Sequence, residues 1–151
     1  MLSCTFSASG SEILVTLEHN VLHTINMDNR TIAISPPLTG VPPTFRHVLA
    51  AKDGKHLALT HQSNPNIRLI SATHKKLIKN FKHNGDVVAM AFSHDSETLY
   101  SADTKGTVYV WDLRMRKCIF THKDKGGARI TAISPSPSGE YYAIGCRSGV
   151  V

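Results

Sequence analysis

The sequence predicts an all-β fold, a β-propeller built from four-stranded blades, on two observations. The first is a regular repeat of tight turns, each followed by a short apolar strand: Ser9-Gly10, Asp53-Gly54, Asp95-Ser96 and Ser138-Gly139. Repeat units of about 40–45 residues with four short strands are typical of propellers. The second observation is that no long segment has apolar residues at the 3.6-residue spacing of a helix, so few or no helices are expected.

The turns divide the chain into four copies of the repeat, the last of them shorter. We place these copies at about residues 1–44, 45–86, 87–129 and 130–151. They amount to about three and a half blades of an incomplete ring of about seven, within the range of four to eight that propellers have. Because an open ring leaves strand edges unpaired, we expect the chain to be part of a longer propeller. A β-sandwich is the alternative for evenly spaced short strands, and the fixed period argues against it.

The third copy carries the motif of a WD repeat. Trp111 and Asp112 end its third strand, Phe92 opens the turn after its first strand, and His83 lies nine residues before Phe92. These four are the predicted structural residues of the motif. The motif usually has aspartate in the turn before the third strand, where this chain has Lys105. We therefore expect its network of histidine, aspartate, serine or threonine, and tryptophan to be incomplete, with Asp103 as a partial substitute.

All of the net charge lies in one region. The chain has a net charge of +6, and residues 68–129 contain twelve Lys and Arg against six Asp and Glu, so the remainder is neutral. A basic region attracts phosphate backbones or acidic protein surfaces, and a solvated face that only aids solubility is the alternative. The candidate residues for binding RNA or a partner lie in the predicted turns and connections: Lys75, Lys76, Arg114, Arg116, Lys117, Lys123, Lys125 and Arg129.

No motif of catalysis or of ligand binding is present. The sequence lacks a nucleophile elbow, a phosphate-binding glycine loop, a dinucleotide fingerprint and a zinc-protease motif. We therefore expect no enzyme activity, no cofactor, no metal site and no small-molecule substrate. The three cysteines, Cys4, Cys118 and Cys146, are widely spaced and are expected to be small core residues of strands. No apolar run approaches the length needed to span a bilayer.

Over a longer stretch the sequence resembles one family of WD-repeat proteins. The resemblance lies in the run Val110-Trp-Asp-Leu-Arg114, in Arg116-Lys-Cys118, in the connection Lys123-Asp-Lys-Gly-Gly127 and in the terminal Ser148-Gly-Val-Val151. These residues are similar to the propeller of the U3 small nucleolar RNA-associated protein 18 family. The resemblance extends over roughly residues 48–151 and is weaker before them.

The resemblance implies a non-catalytic scaffold of the nucleus and nucleolus, working in ribosome biogenesis. Members of this family belong to the small-subunit processome, the particle in which small-subunit rRNA matures. The implied partners are other processome proteins, the U3 small nucleolar ribonucleoprotein and pre-rRNA, without a membrane. The family's propeller is closed and follows an N-terminal extension, so it is longer than this chain. The alternative function is that of a generic WD-repeat adaptor, for example in a ubiquitin ligase or a signalling complex.

Overall fold

The computed structural model describes residues 3–16, 21–38, 44–61, 64–123 and 129–147. These residues form β-strands and no helix, which confirms the all-β prediction for the described ranges. The strands are β1 (Ser3–Phe6), β2 (Glu12–Thr16), β3 (Leu22–Asn26), β4 (Ile32–Ile34), β5 (Phe45–Ala50), β6 (His56–His61), β7 (Asn64–Ser71), β8 (Leu77–Phe81), β9 (Val87–Phe92), β10 (Thr98–Asp103), β11 (Thr107–Asp112), β12 (Lys117–Lys123), β13 (Ile130–Pro135) and β14 (Tyr142–Cys146). The chain divides into two compact units, Met1–Asn80 and Phe81–Val151.

The first unit contains two four-stranded sheets in the orders β1-β2-β3-β4 and β5-β6-β7-β8, and β8 ends at Phe81. The sheets meet through β1 and β5, where the amide of Val48 donates to Ser3 Oγ over 3.1 Å. Strands β6 and β7 are buried on both of their faces in the middle of their sheet. An apolar cluster lies in the core of this unit, formed by Leu14, Leu22, Leu38, Phe45, Val48, Leu57, Leu59 and Ile70.

The second unit contains a four-stranded sheet in the order β12-β11-β10-β9 and a two-stranded sheet of β13 and β14. Neighbouring strands in both sheets run antiparallel. The Tyr100 ring lies 5.5 Å from the Tyr142 ring and joins the two sheets. Around it lies an apolar cluster formed by Tyr100, Ala102, Val108, Val110, Ile130 and Ile133. Every residue of the outermost strand, β12, is exposed.

The turns that defined the repeat have one backbone conformation in common. Gly10, Gly54 and Gly139 have φ angles of +74°, +67° and +77° in the turns between the first and second strands of their sheets. Ser96 takes the same place with φ +62°. This left-handed region is free of steric cost only for glycine. The turn alignment made from the sequence is therefore confirmed by the backbone, whereas the limits of the four copies remain a prediction.

The expectation that the cysteines are core residues is wrong for two of the three. Cys4 and Cys118 are exposed, and Cys146 is half-buried. Cys118 lies on the exposed strand β12, while burial alternates along β1 and leaves Cys4 on its outer face. Side chains alternate between the two faces of a strand, so a strand position alone did not decide which face was covered.

No helix in the described ranges is long and apolar enough to cross a membrane.

The left-handed glycines allow a test of this turn geometry. Gly10→Ala should lower the free energy of unfolding by about 1 kcal/mol, because a Cβ at positive φ crowds the following carbonyl. Gly54→Ala should cost more, because its Cβ would also lie 3.3 Å from the Cβ of Ala8. Gly145→Ala is the control, since its new Cβ would make only an ordinary contact with Ala132. Urea unfolding measures all three, and equal losses at Gly10 and Gly145 would contradict the assignment.

Candidate functional site

A chain of hydrogen bonds runs through the interior of the second unit. The indole Nε1–H of Trp111 donates to Ser101 Oγ over 2.8 Å, and Ser101 Oγ lies 2.7 Å from His83 Nε2. His83 Nδ1 lies 3.1 Å from the carbonyl oxygen of Phe81. A carbonyl only accepts hydrogen bonds, so Nδ1 carries a proton, and in the singly protonated imidazole Nε2 then accepts from the Ser101 hydroxyl. All three bonds therefore point one way, from Trp111 through Ser101 to His83 and Phe81.

Aromatic rings pack around these hydrogen bonds. The Phe81 ring stacks on the Trp111 ring with 4.6 Å between centroids, and the Tyr109 ring stacks on Trp111 at 5.6 Å. The His83 imidazole meets the Tyr109 ring edge-on at 4.6 Å. Offset and edge-on ring pairs contribute about 0.5–1.5 kcal/mol each beyond the area they bury. Trp111 is thus a structural core residue, as the sequence indicated.

Asp103 extends this interior network into the turn between β10 and β11. One carboxylate oxygen accepts from the amides of Lys105 and Thr107 at 2.9 and 3.0 Å, and the other accepts from the Tyr109 hydroxyl at 3.1 Å. Burial, together with this carboxylate, raises the pKa of Tyr109. The bonds among histidine, serine and tryptophan are formed, while the Asp103 carboxylate binds turn amides and the Tyr109 hydroxyl, so the expectation of an incomplete four-membered network stays a prediction. Lys105 contributes its backbone amide, and the carboxylate comes from Asp103.

The two remaining motif residues lie at strand ends. Phe92 ends β9, is half-buried and pairs with Leu99 of β10. Asp112 ends β11, and its carboxylate accepts from the amide of Met115 over 2.6 Å. This bond closes the turn that leads into β12, so Asp112 shapes the backbone on which Arg114 and Arg116 lie.

The predicted basic residues of the second unit do not form one group, because they lie near both ends of β12. Arg114 and Arg116 are exposed in the turn between β11 and β12, and Lys117 begins β12. Lys123 ends the same strand, roughly 20 Å away at about 3.4 Å per residue. Arg129 is exposed directly before β13, and the predicted residue Lys125 lies outside the described residues. The structure thus brings the first three together and separates Lys123 from them.

Lys75 and Lys76 lie in the turn between β7 and β8 of the first unit. Lys76 is exposed and Lys75 is half-buried. Burial lowers the pKa of Lys75, and the nearby Glu12 carboxylate opposes that shift. Lys75 and Glu12 line a cavity of about 180 Å³ together with His56 and Thr24. Because a carboxylate already neutralises part of its charge, Lys75 is the weaker of the two lysines as an anion contact.

A pattern that the sequence analysis missed links three turns between third and fourth strands. Arg30, Lys75 and Arg116 have φ angles of +56°, +54° and +55°. Each lies four residues after a polar residue that ends the third strand, namely Asn26, Ser71 and Asp112. A left-handed conformation costs a residue with a Cβ about 1–2 kcal/mol. Each turn therefore places a basic residue where glycine would be less strained. One of the three residues, Arg30, lies outside the basic region that the sequence predicted.

The polar residues before these three positions act alike. Asn26 Oδ1 accepts from the amides of Asp28 and Asn29, Ser71 Oγ accepts from the amide of His74, and Asp112 Oδ1 accepts from that of Met115. A side chain that accepts from an amide two or three residues later is typical of tight turns. This spacing of a turn-forming residue and a base four positions later was the signal in the sequence that could have found Arg30.

No group of three or more His, Cys, Asp or Glu among the described residues could hold a metal ion. The polar side chains of the described network bond to one another, and Arg114 and Arg116 are exposed at a turn of the same unit.

Comparison with known proteins agrees with this arrangement. The family profile described as "WD domain, G-beta repeat" matches residues 75–112, the span that contains His83, Ser101 and Trp111. The hydrazine synthase of Kuenenia stuttgartiensis contains a similar fold, with a TM-score of 0.78 over 94% of this chain and 40% of that one. At 15% identity this likeness concerns the fold alone. The chain contains a WD repeat at residues 75–112.

Similarity to curated proteins extends over nearly the whole chain. Homologs of U3 small nucleolar RNA-associated protein 18 from Mus musculus and Homo sapiens are 34% identical to it over 148 residues, and the Arabidopsis thaliana homolog is 30% identical over 147. Each match spans 97% of this chain. The resemblance to that family is confirmed. The chain spans only about a quarter of the length of these relatives, 26–27%.

The contacts of the interior network predict how much stability each substitution within it should cost. Ser101→Ala should lower the free energy of unfolding by about 2–4 kcal/mol, because it removes both the buried acceptor of Trp111 Nε1–H and the hydroxyl that bonds His83 Nε2. Trp111→Phe should cost less than Trp111→Ala, because a phenyl ring keeps the stack on Phe81. The alanine variant should lose about 3–5 kcal/mol. Urea unfolding measures each variant.

A double-mutant cycle between Ser101→Ala and Trp111→Phe supplies the control. The two residues share one hydrogen bond, so their losses should not add. Additive losses would show that the bond between them contributes nothing to stability.

Proposed function

We propose that this chain is a non-catalytic WD-repeat scaffold in ribosome biogenesis, acting in pre-rRNA processing as part of the small-subunit processome. The observation that carries the proposal is the identity of 30–34% over 97% of the chain to proteins named as U3 small nucleolar RNA-associated. Those relatives are much longer than this chain. The function of a whole relative therefore supports the proposed role but does not identify which part of that function these residues perform. The corresponding location is the nucleolus.

The chemistry of the described residues supports a scaffold in preference to an enzyme. The polar side chains of the interior network bond to one another, and the exposed Arg114 and Arg116 lie on a turn. Contacts of lysine and arginine to phosphates position a protein on RNA without reading its sequence. Aromatic side chains are not interleaved with the basic residues of the turn 113–116, so base stacking does not add specificity there. The proposed partners are the U3 ribonucleoprotein, pre-rRNA and neighbouring processome proteins.

Sedimentation tests the proposed function directly. The tagged protein, expressed in cells, should co-sediment with precursors of the small ribosomal subunit, and its depletion should cause unprocessed small-subunit rRNA to accumulate. Normal rRNA processing after depletion would refute the proposal. Nuclease treatment before affinity purification separates the alternative, because a generic WD adaptor would keep its partners unchanged after RNA is removed.

The basic turn between β11 and β12 leads to a prediction for charge-reversal variants. Reversal of Arg114, Arg116 and Lys117 to Glu should weaken association with particles or RNA most strongly at low salt, and the difference from the unsubstituted protein should shrink as salt is raised, because salt screens surface charge contacts. A charge-matched control reverses three exposed lysines of other turns, Lys52, Lys55 and Lys105. Gradient fractions and filter binding over a salt series measure both variants. An equal loss in the control would mean that net charge alone, and no particular turn, determines binding.

A further inference from the structure

The first unit contains a buried arginine whose charge the fold leaves uncompensated. Arg68 lies on β7 with only 8% of its surface exposed. Its Nε–H group is covered and has no hydrogen-bond partner in the described structure. A buried donor without an acceptor costs free energy, and a buried charge costs more. The proposed function does not use this residue, so its burial needs another explanation.

The side chain lies on the apolar face of its sheet. Arg68 pairs with Leu59 across β6 and β7, so the two side chains share one face. Leu59 and Phe45 both belong to the apolar cluster of the first unit, and Phe45 pairs with His61 at the end of β6. The guanidinium group has therefore left water for a largely apolar surface that offers it no compensating charge.

Acids are absent from this part of the sheet. Within residues 44–81, which contain all four of its strands, Asp53 is the only acid. Asp53 lies in the turn before β6 and contacts His56 Nδ1 over 2.8 Å, whereas His61 ends β6 at the opposite end of that strand. Burial lowers the pKa of Arg68, and no described carboxylate opposes this shift in the way that Glu12 does at Lys75.

His61 does not add a second charge at neutral pH. Its Nε2 lies 2.7 Å from the hydroxyl oxygen of Thr44. Burial, together with the charge of Arg68, lowers the pKa of His61 from its ordinary value near 6.5. The imidazole is therefore neutral at pH 7, and Arg68 carries the single positive charge on this face.

We propose that Arg68 is a binding site for the carboxylate group of an aspartate or glutamate side chain of a partner protein. A guanidinium group offers N–H donors in a planar fork that matches the two oxygens of a carboxylate. One negative charge balances the one positive charge. Since folding has already removed Arg68 from water, a carboxylate that binds there loses only its own hydration and supplies the missing acceptor.

The small exposed fraction of Arg68 selects this ligand over a nucleic acid. A side chain that is only 8% exposed can receive one small group, whereas the backbone of RNA needs an open groove that follows several phosphates. The inference concerns one side chain of the first unit and does not depend on the proposed function. Failure of the protein to sediment with ribosomal precursors would leave it standing.

A titration observed at the arginine itself tests the site. The probe is N-acetylglutamate amide, whose only carboxylate is that of the side chain, and N-acetylglutamine amide is its uncharged match. Nitrogen-15 correlation spectra of the 151-residue chain resolve arginine Nε–H signals, and the signal lost in Arg68→Met belongs to Arg68. This signal should shift to saturation with the glutamate probe and stay unmoved with the glutamine probe. Arg114→Met is the control and should leave the response intact.

Urea unfolding supplies a second measurement. Arg68→Met replaces an uncompensated buried charge by an apolar side chain, so its urea midpoint should exceed that of the unsubstituted protein when no probe is present. The glutamate probe should raise the midpoint of the unsubstituted protein and leave that of Arg68→Met unchanged, because a ligand stabilises only a state that binds it. Arg68→Lys keeps the charge without the fork and should bind the probe about tenfold more weakly.

Three results would overturn the inference. The first is a signal of Arg68 that does not saturate with the glutamate probe or that responds equally to the glutamine probe. The second is tighter binding of inorganic phosphate than of the glutamate probe at equal ionic strength. The third concerns Glu18, in the segment 17–20 outside the described residues. If Glu18→Gln bound the probe more tightly than the unsubstituted chain, the chain's own carboxylate would compete for Arg68, and a partner would not be needed.

Discussion

The second unit depends on the hydroxyl group of Ser101. This single oxygen accepts a hydrogen bond from Trp111 on β11 and donates one to His83 in the segment that leads into β9. The His83 ring continues to the carbonyl of Phe81, whose side chain stacks back on Trp111. Three separate parts of the chain are thereby held by one buried group. Because the hydroxyl both donates and accepts, no apolar side chain of similar size could replace it.

The exposed chemistry of the unit follows from this interior. Trp111 holds β11 in place, and the next residue, Asp112, closes the turn that carries Arg114 and Arg116. At the other end of β11, Asp103 binds the amides of the turn around Lys105. The buried polar side chains of this network bond to one another, whereas the described structure shows no side-chain hydrogen bond or ion pair at the exposed Arg114 and Arg116. Such a division is in keeping with the proposed recognition by charge.

In the first unit the turns between third and fourth strands have the same backbone conformation, although a different core lies beneath them. Ile25 and Ile70 occupy the strand position that Trp111 has in the second unit, and Ile70 is fully buried in an apolar cluster. Apolar packing there replaces the hydrogen-bonded rings, yet the turns that follow have φ angles within 2° of that in the second unit. The turn conformation therefore depends on the local capping residue and on the sheet register. This explains how a basic residue can recur at one position although the cores beneath it differ.

The sequence by itself determined the strands, the repeat period and the core role of Trp111. These features follow from local patterns: turn residues at a regular spacing, short apolar strands and one motif. It also indicated His83, but it did not point to Ser101, because a serine in a strand has no pattern of its own. Its role exists only where β10, β11 and the segment before β9 meet. The exposure of Cys4 and Cys118 was likewise decided by which strand face the fold leaves uncovered.

The basic residues of the turns also show how far the sequence alone could predict the site. The sequence placed Lys75, Arg114 and Arg116 in turns, since charge and turn residues are visible in composition. Only the tertiary structure decided that Arg30, Lys75 and Arg116 are equivalent, because a φ angle is set by how a turn closes between two paired strands. The physical reason is that sequence patterns report which residues are apolar, charged or turn-forming. Which groups share a hydrogen bond or a backbone conformation is settled by contacts between distant parts of the chain.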